Sequence, residues 1–248
     1  MVNKEYNAYL DLHCHYDELK ADYLRETLSK NNIIALSASV DIASYQRLEV
    51  LKNERIPSLY FAYGLYPDVV LNKSITTLEK ELKEINFENS IGIGEIGLDY
   101  KITKDKTQRD NQKILFSKQL EIAEKLNKPV IVHTRYATKA TLDFLKDYSK
   151  LKVVLHWFGG TPDEINVALE RGYYLTERFA KPRIENINDK LDQIFIETDY
   201  PVSKDGTPIE ITGIIDSYDS FCKEYNLDPE EVKKRIINNF YKVFNIDK

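Results

Sequence analysis

Cysteine is nearly absent from this chain: Cys14 and Cys222 are its only two, far apart in sequence, and such a pair builds no disulfide framework. Long apolar runs are missing as well. No stretch approaches the ~20 residues needed to span a bilayer, and the segment from Met1 to Leu10 lacks the apolar centre of a secretory leader. The expected compartment is therefore the cytoplasm, where the Asn-Lys-Ser sequon at Asn72 has no glycosylation role. Nor is there an excess of basic residues: 35 Lys and Arg stand against 40 Asp and Glu, a net charge of −5. That balance argues against gripping duplex backbone over a broad basic face. It does not exclude holding phosphates through bound metal. No Pro-, Gly- or Ser-rich linker and no repeat divides the chain, so residues 1–248 read as one domain. A G-x-S-x-G elbow is also missing, which argues against a nucleophilic serine triad.

What is present is alternation. Short apolar runs at 8–14, 33–39, 59–64, 90–96, 129–134, 152–156, 173–176 and 194–198 read as strands. Between them lie amphipathic runs at 22–30, 44–54, 75–85, 108–126, 138–148, 162–171, 184–190 and 210–225, and a last one at 229–244 closes the chain. In the clearest helix, Phe116, Leu120, Ala123 and Leu126 recur at spacings of three and four, and Asn127 with Pro129 supplies the stop. Eight such repeats predict an α/β protein, a closed (β/α)8 TIM barrel. An open doubly wound sheet fits less well, because no Gly-rich phosphate loop follows the first strand.

The four histidines, His13, His15, His133 and His156, all fall at the ends of predicted strands. Glu95 ends the fourth strand, in a run interrupted by glycines, and Asp199 ends the eighth. A single histidine after an apolar run is ordinarily a core residue. Four of four, with two carboxylates at equivalent positions, are not explained by packing. In a barrel these positions face the catalytic rim. Four imidazoles and two carboxylates exceed what one ion needs, and suit two ions ~3.5–4 Å apart with one bridging carboxylate, a site for hydrolysing phosphoesters. His13 and His15 share a face, so Cys14 points the other way and reads as a small buried hydrophobe. The same alternation puts Asp11 and Glu197 on the inner face, either as outer partners of the imidazoles or as polar barrel filling.

Six motifs in order resemble those of the TatD-type metal-dependent deoxyribonucleases, within the amidohydrolase-like barrels. Asp-Leu-His-Cys-His at 11–15 is similar to the first-strand H-x-H, and Gly94-Glu95-Ile96-Gly97-Leu98-Asp99 to the G-E-x-G-L-D signature. Gln112, Phe116, Gln119 and Ala123, then Pro129 to Ala137 with His133 and Arg135, follow the central helix and fifth strand. Val154-Leu155-His156-Trp157-Phe158-Gly159-Gly160 resembles H-C-F-S-G, and Ile196-Glu197-Thr198-Asp199-Tyr200-Pro201 resembles E-T-D-x-P.

The resemblance implies that His13, His15 and Asp199 hold one ion and His133 and His156 the other, with Glu95 bridging. It also implies that Asp199 orients and deprotonates the attacking water, and that Mg2+ supports turnover, while the mixed N/O donor set accepts Mn2+ or Zn2+. Arg135, on the face of His133, is either a phosphate clamp or half of a structural ion pair. The chain departs from the pattern around the mouth. Tyr66 stands where G-x-H-P has histidine, Trp157 where cysteine is usual, and the arginine–glycine pair after Pro201 is missing. The implied activity is 3′–5′ exonuclease action on single-stranded DNA or frayed 3′ ends. Trp157, Phe158, Tyr66 and Tyr100 either stack exposed bases or pack beneath loops. Two other classes compete. One is a small-molecule amidohydrolase or phosphotriesterase, which often bridges its metals with a carboxylated lysine, but Gly92 to Leu98 holds none. The other is a catalytically dead partner-binding module that kept the barrel, which the six ligand positions present speak against, or a subunit active only within a larger assembly whose protein partners the sequence does not name.

Overall fold

Runs rich in Val, Ile and Leu, buried along almost their whole length, become strands that fit a parallel sheet covered on both faces. In the computed structural model, which describes residues 7–177, 184–201 and 207–246, these are β1 (Tyr9–Cys14), β2 (Ile33–Ala38), β3 (Leu59–Tyr63), β4 (Gly92–Asp99), β5 (Val130–Arg135), β6 (Val153–His156), β7 (Tyr174–Glu177) and β8 (Ile194–Ile196). All pair in parallel and in sequence order. Two backbone bonds of 2.9 Å, Asp199 N–H to His13 O and His15 N–H to Tyr200 O, bring the last strand back to the first. The fold is the expected (β/α)8 barrel. Residues 202–206, which begin the segment after Pro201 singled out above, lie outside the described residues.

The amphipathic runs form α1 (Ala21–Asn31), α2 (Ile42–Asn53), α3 (Ile75–Glu84), α4 (Lys106–Leu126), α5 (Thr138–Leu145), α6 (Pro162–Glu170), α7 (Ile187–Lys190), α8 (Gly213–Tyr225) and α9 (Pro229–Phe244). Their ends follow local chemistry. Asp41, Asp105 and Thr161 accept backbone N–H bonds at the starts of α2, α4 and α6, and Asn127 ends α4 in the left-handed conformation. The expected helix at 184–190 is reduced to the single turn α7, because Asn186 takes a left-handed φ of 53° just before it.

α4 also explains two glutamines on an otherwise apolar face. Gln119 exchanges hydrogen bonds with both backbone groups of Leu65, at 2.7 and 3.0 Å. Gln112 accepts from Asp99 N–H and donates to the carbonyls of Asp99 and Pro67. Buried amides so satisfied act as staples. They fix the turn carrying Tyr66 and the end of β4 carrying Asp99.

β4 corrects one expectation. It runs on to Asp99, so Glu95 lies in mid-strand instead of at its end. The ladder to β5 shifts register between Ile93 and Ile96 and then resumes through Asp99–Arg135. The Gly94–Glu95 peptide bond is cis. Gly97 is required here: at φ 138° a Cβ would stand 2.1 Å from the His133 carbonyl oxygen.

Candidate metal centre

All six expected ligands converge on one end of the barrel, Glu95 from the middle of β4 and the others from near or just past the carboxyl ends of their strands. His15, Glu95, His133, His156 and Asp199 line a cavity of about 660 Å3, and His13 lies fully buried directly beneath, its Nε2 3.4 Å from Glu95 Oε2. The geometry divides at Glu95. On one side, His13 Nε2 and His15 Nε2 stand 3.4 and 3.5 Å from Glu95 Oε2, and 3.7 and 3.5 Å from Asp199 Oδ1. On the other, Glu95 Oε1 is 2.8 Å from His133 Nδ1 and 3.1 Å from His156 Nε2, and those nitrogens are 3.3 Å apart.

Donors placed about 2.0–2.1 Å from an ion in a tetrahedral array stand about 3.4 Å from one another. The four histidine–carboxylate pairs of the first set, at 3.4 to 3.7 Å, are close to that spacing. Moreover, both ring nitrogens of His13 are buried without a hydrogen-bond partner, which costs free energy unless something satisfies them. His13, His15 and Asp199, and likewise His13, Glu95 and His156, are spaced to hold a metal ion. The residues present fit a divalent cation.

The field points the same way. Burial alone would raise the Glu95 carboxyl, but His156 and His13 outweigh it and hold it well below the ordinary range. Burial would likewise lower His15, yet Asp199 and Glu95 push it up to about 9. His133 is raised against its burial by Asp99 and Glu95, and His156 by Glu197 and Glu95. His13 goes the other way, lowered by burial and by neighbouring His156. The carboxylates therefore favour positive charge around Glu95, which a proton or a cation supplies.

Behind the imidazoles lies a second layer. His15 Nδ1 meets the Ala38 carbonyl at 2.9 Å and His156 Nδ1 meets Glu197 Oε1 at 3.1 Å. Partners of this kind fix which ring nitrogen is free to bind a metal. Glu197 thus touches an imidazole. Asp11 does not: it accepts from Thr198 N–H and Thr198 Oγ1 at 2.9 and 2.6 Å, tying β1 to the end of β8. Burial pushes its carboxyl up to about 7. Cys14 is buried, its thiol donating to the Leu36 carbonyl.

Sequence reasoning missed a network at the mouth. Asp99, fully buried, accepts from Tyr66 Oη at 2.9 Å and from Arg135 Nε and Nη2 at 2.8 and 2.5 Å. Tyr66 Oη also stands 3.1 Å from His133 Nε2. Burial alone would raise Asp99, but His133, whose Nε2 lies 3.5 Å from it, together with Arg135 and Tyr66 holds it below the ordinary carboxylate range. Tyr66 thus belongs to the support of His133. Arg135 is an ion-pair partner that still lines the cavity, with 43 % of its side chain exposed. The aromatics separate as well. Phe158 is buried and has no face to offer a base, and Tyr100 lies under the Arg109 guanidinium, off the cavity lining. Trp157 lines the cavity, as does Tyr136, which was not singled out from the sequence.

Residues 10–245 match the family model described as TatD-related DNase. The chain belongs to the TatD-related DNase family. It is 27 % identical to a metal-dependent hydrolase of Methanocaldococcus jannaschii, over 95 % of this chain and 96 % of that one. It is 28 % identical to the human deoxyribonuclease TATDN3, over 77 % of each chain. Among solved structures, the TatD homologue YjjV of Escherichia coli superposes with a TM-score of 0.80 at 23 % identity, covering 98 % of this chain and all of that one. This TatD-family chain is accordingly a metal-dependent hydrolase. Among the described residues no helix is long and apolar enough to cross a membrane.

Proposed function

We propose that this protein is a deoxyribonuclease, one domain over residues 1–248, that removes nucleotides stepwise from the 3′ ends of single-stranded or frayed DNA. The observation that carries this reading is the carboxylate of Glu95, which turns one oxygen to each of two donor sets. His13, His15 and Asp199 would hold one divalent ion and His133 and His156 a second, with Glu95 bridging and Mg2+, Mn2+ or Zn2+ as the ions. When bound, such a pair lowers the pKa of water and neutralises charge building on a phosphate.

The remaining steps belong to side chains. Asp199 is the more accessible carboxylate, 14 % exposed against 4 % for Glu95, and lines the cavity. It receives the proton of the attacking water on a carboxylate oxygen. Glu95, packed against four imidazoles, has no room for that role. Arg135, its guanidinium aimed by Asp99, contacts a phosphate oxygen at the mouth. With a net charge of −5 the chain gains little from counterion release along a duplex, so most of the affinity comes from the site itself.

The test uses 5′-labelled oligonucleotides with blocked and free 3′ ends and each of the three metals. A ladder shortening from free 3′ ends, faster on single strands than on blunt duplex, supports the reading. Robust turnover of small phosphoesters with no DNA cleavage under any metal would assign the chain to small-molecule hydrolysis instead.

A further inference from the structure

Tyr136 follows Arg135 at the end of β5 and lines the cavity with Arg135, His133 and Trp157. At 79 % exposure it is the least covered large hydrophobic side chain among the described residues. It makes no hydrogen bond, ion pair or ring contact with any described residue. Its backbone sits at φ 56°, the left-handed region that bulky residues avoid. Trp157, one residue past β6 and therefore on the neighbouring loop, also lines the cavity and stands at φ 44°.

Packing does not account for this ring, which buries little of itself. Backbone chemistry does not either, since asparagine or glycine takes a left-handed conformation more readily. Strained residues of this kind gather at ligand sites. The ring stands directly after the guanidinium that Asp99 aims into the mouth. One dipeptide therefore offers a phosphate contact and a flat apolar face side by side, the alternation found along a nucleic-acid strand.

We propose that Tyr136 is the stacking platform for one nucleobase of the bound strand, with Trp157 as the adjoining wall of the same subsite. This rests on the reading of the chain as a DNA phosphodiesterase. The face is sequence-tolerant, because every base presents a π surface. It also favours single strands and frayed ends, whose bases are free to leave their own stack.

The experiment compares wild type, Tyr136→Asn and Tyr136→Phe on oligonucleotides that carry or lack a base at each of the two 3′-terminal positions. Tyr136→Asn should raise KM about 5- to 150-fold on intact oligonucleotides, the range for one lost base stack, with kcat nearly unchanged. Tyr136→Phe should restore most of the loss, since the ring and not the hydroxyl acts. Removing the stacked base should cost wild type the same factor, and combining both changes should cost no more than either alone. The melting temperature of Tyr136→Asn should equal or exceed that of wild type, whereas a structural role would lower it. An unchanged KM in Tyr136→Asn, or fully additive losses, overturns the stacking role alone. Failure of wild type to cleave any oligonucleotide overturns the DNA reading beneath it.

Discussion

The two sides of Glu95 are built differently. Toward His13, His15 and Asp199 the donor atoms stand 3.4 to 3.7 Å apart, and His13 has no hydrogen bond to break. Toward His133 and His156 they stand 2.8 to 3.3 Å apart, at hydrogen-bonding distance. There each imidazole also has an outer partner: Glu197 for His156, and Tyr66 with Asp99 for His133. A cation entering the first side meets donors already at ligand spacing. One entering the second must displace protons and spread the donors. We expect the first side to bind more tightly, and the second to depend on its outer partners.

Substitutions test that contrast, in decreasing order of effect. Glu95→Gln removes the group common to both sides. It should abolish occupancy of both and reduce turnover at or beyond the upper end of the about 10²–10⁴-fold range of a lost general base. Metal content and kcat measured together check this. Asp199→Asn touches the first side only, so turnover should fall about 10²–10⁴-fold while the second side still takes up metal. Tyr66→Phe and Glu197→Gln should each weaken the second side's affinity about 10- to 100-fold, leaving the first unchanged in a metal titration. If either weakens the first side equally, the two sides are not independent. Cys14 lies between His13 and His15 in sequence but its thiol turns away to the Leu36 carbonyl, so Cys14→Ala is the smallest change. It should keep both affinities and lose only about 1 kcal/mol of stability, read by denaturant melting.

The fold was legible because its signal is periodic. Alternating apolar and amphipathic runs gave eight strands, and the histidines marked their carboxyl ends. His13, His15 and Cys14 sorted onto opposite faces by strand alternation alone. What stayed hidden has no period. The ties of Tyr66 to Asp99 and His133 span 33 and 67 residues and depend on the staples from Gln112 and Gln119. Asp11 shares its strand face with His13, yet Thr198 donates to both its oxygens. Phe158 and Trp157 are adjacent in sequence, but a loop that turns at φ 44° buries one and presents the other to the cavity. Tyr136 is exposed by the same kind of turn.

Two inequivalent metal positions sharing Glu95 are the centre of the proposed chemistry. Calorimetric titration of the metal-free protein with Mn2+, backed by metal analysis of the loaded chain, tests it most directly when wild type and His15→Ala are run side by side. We predict two ions per wild-type chain with separable affinities, the tighter lost and the weaker kept in His15→Ala. At most one ion per chain under metal excess, or loss of both together in His15→Ala, would contradict it.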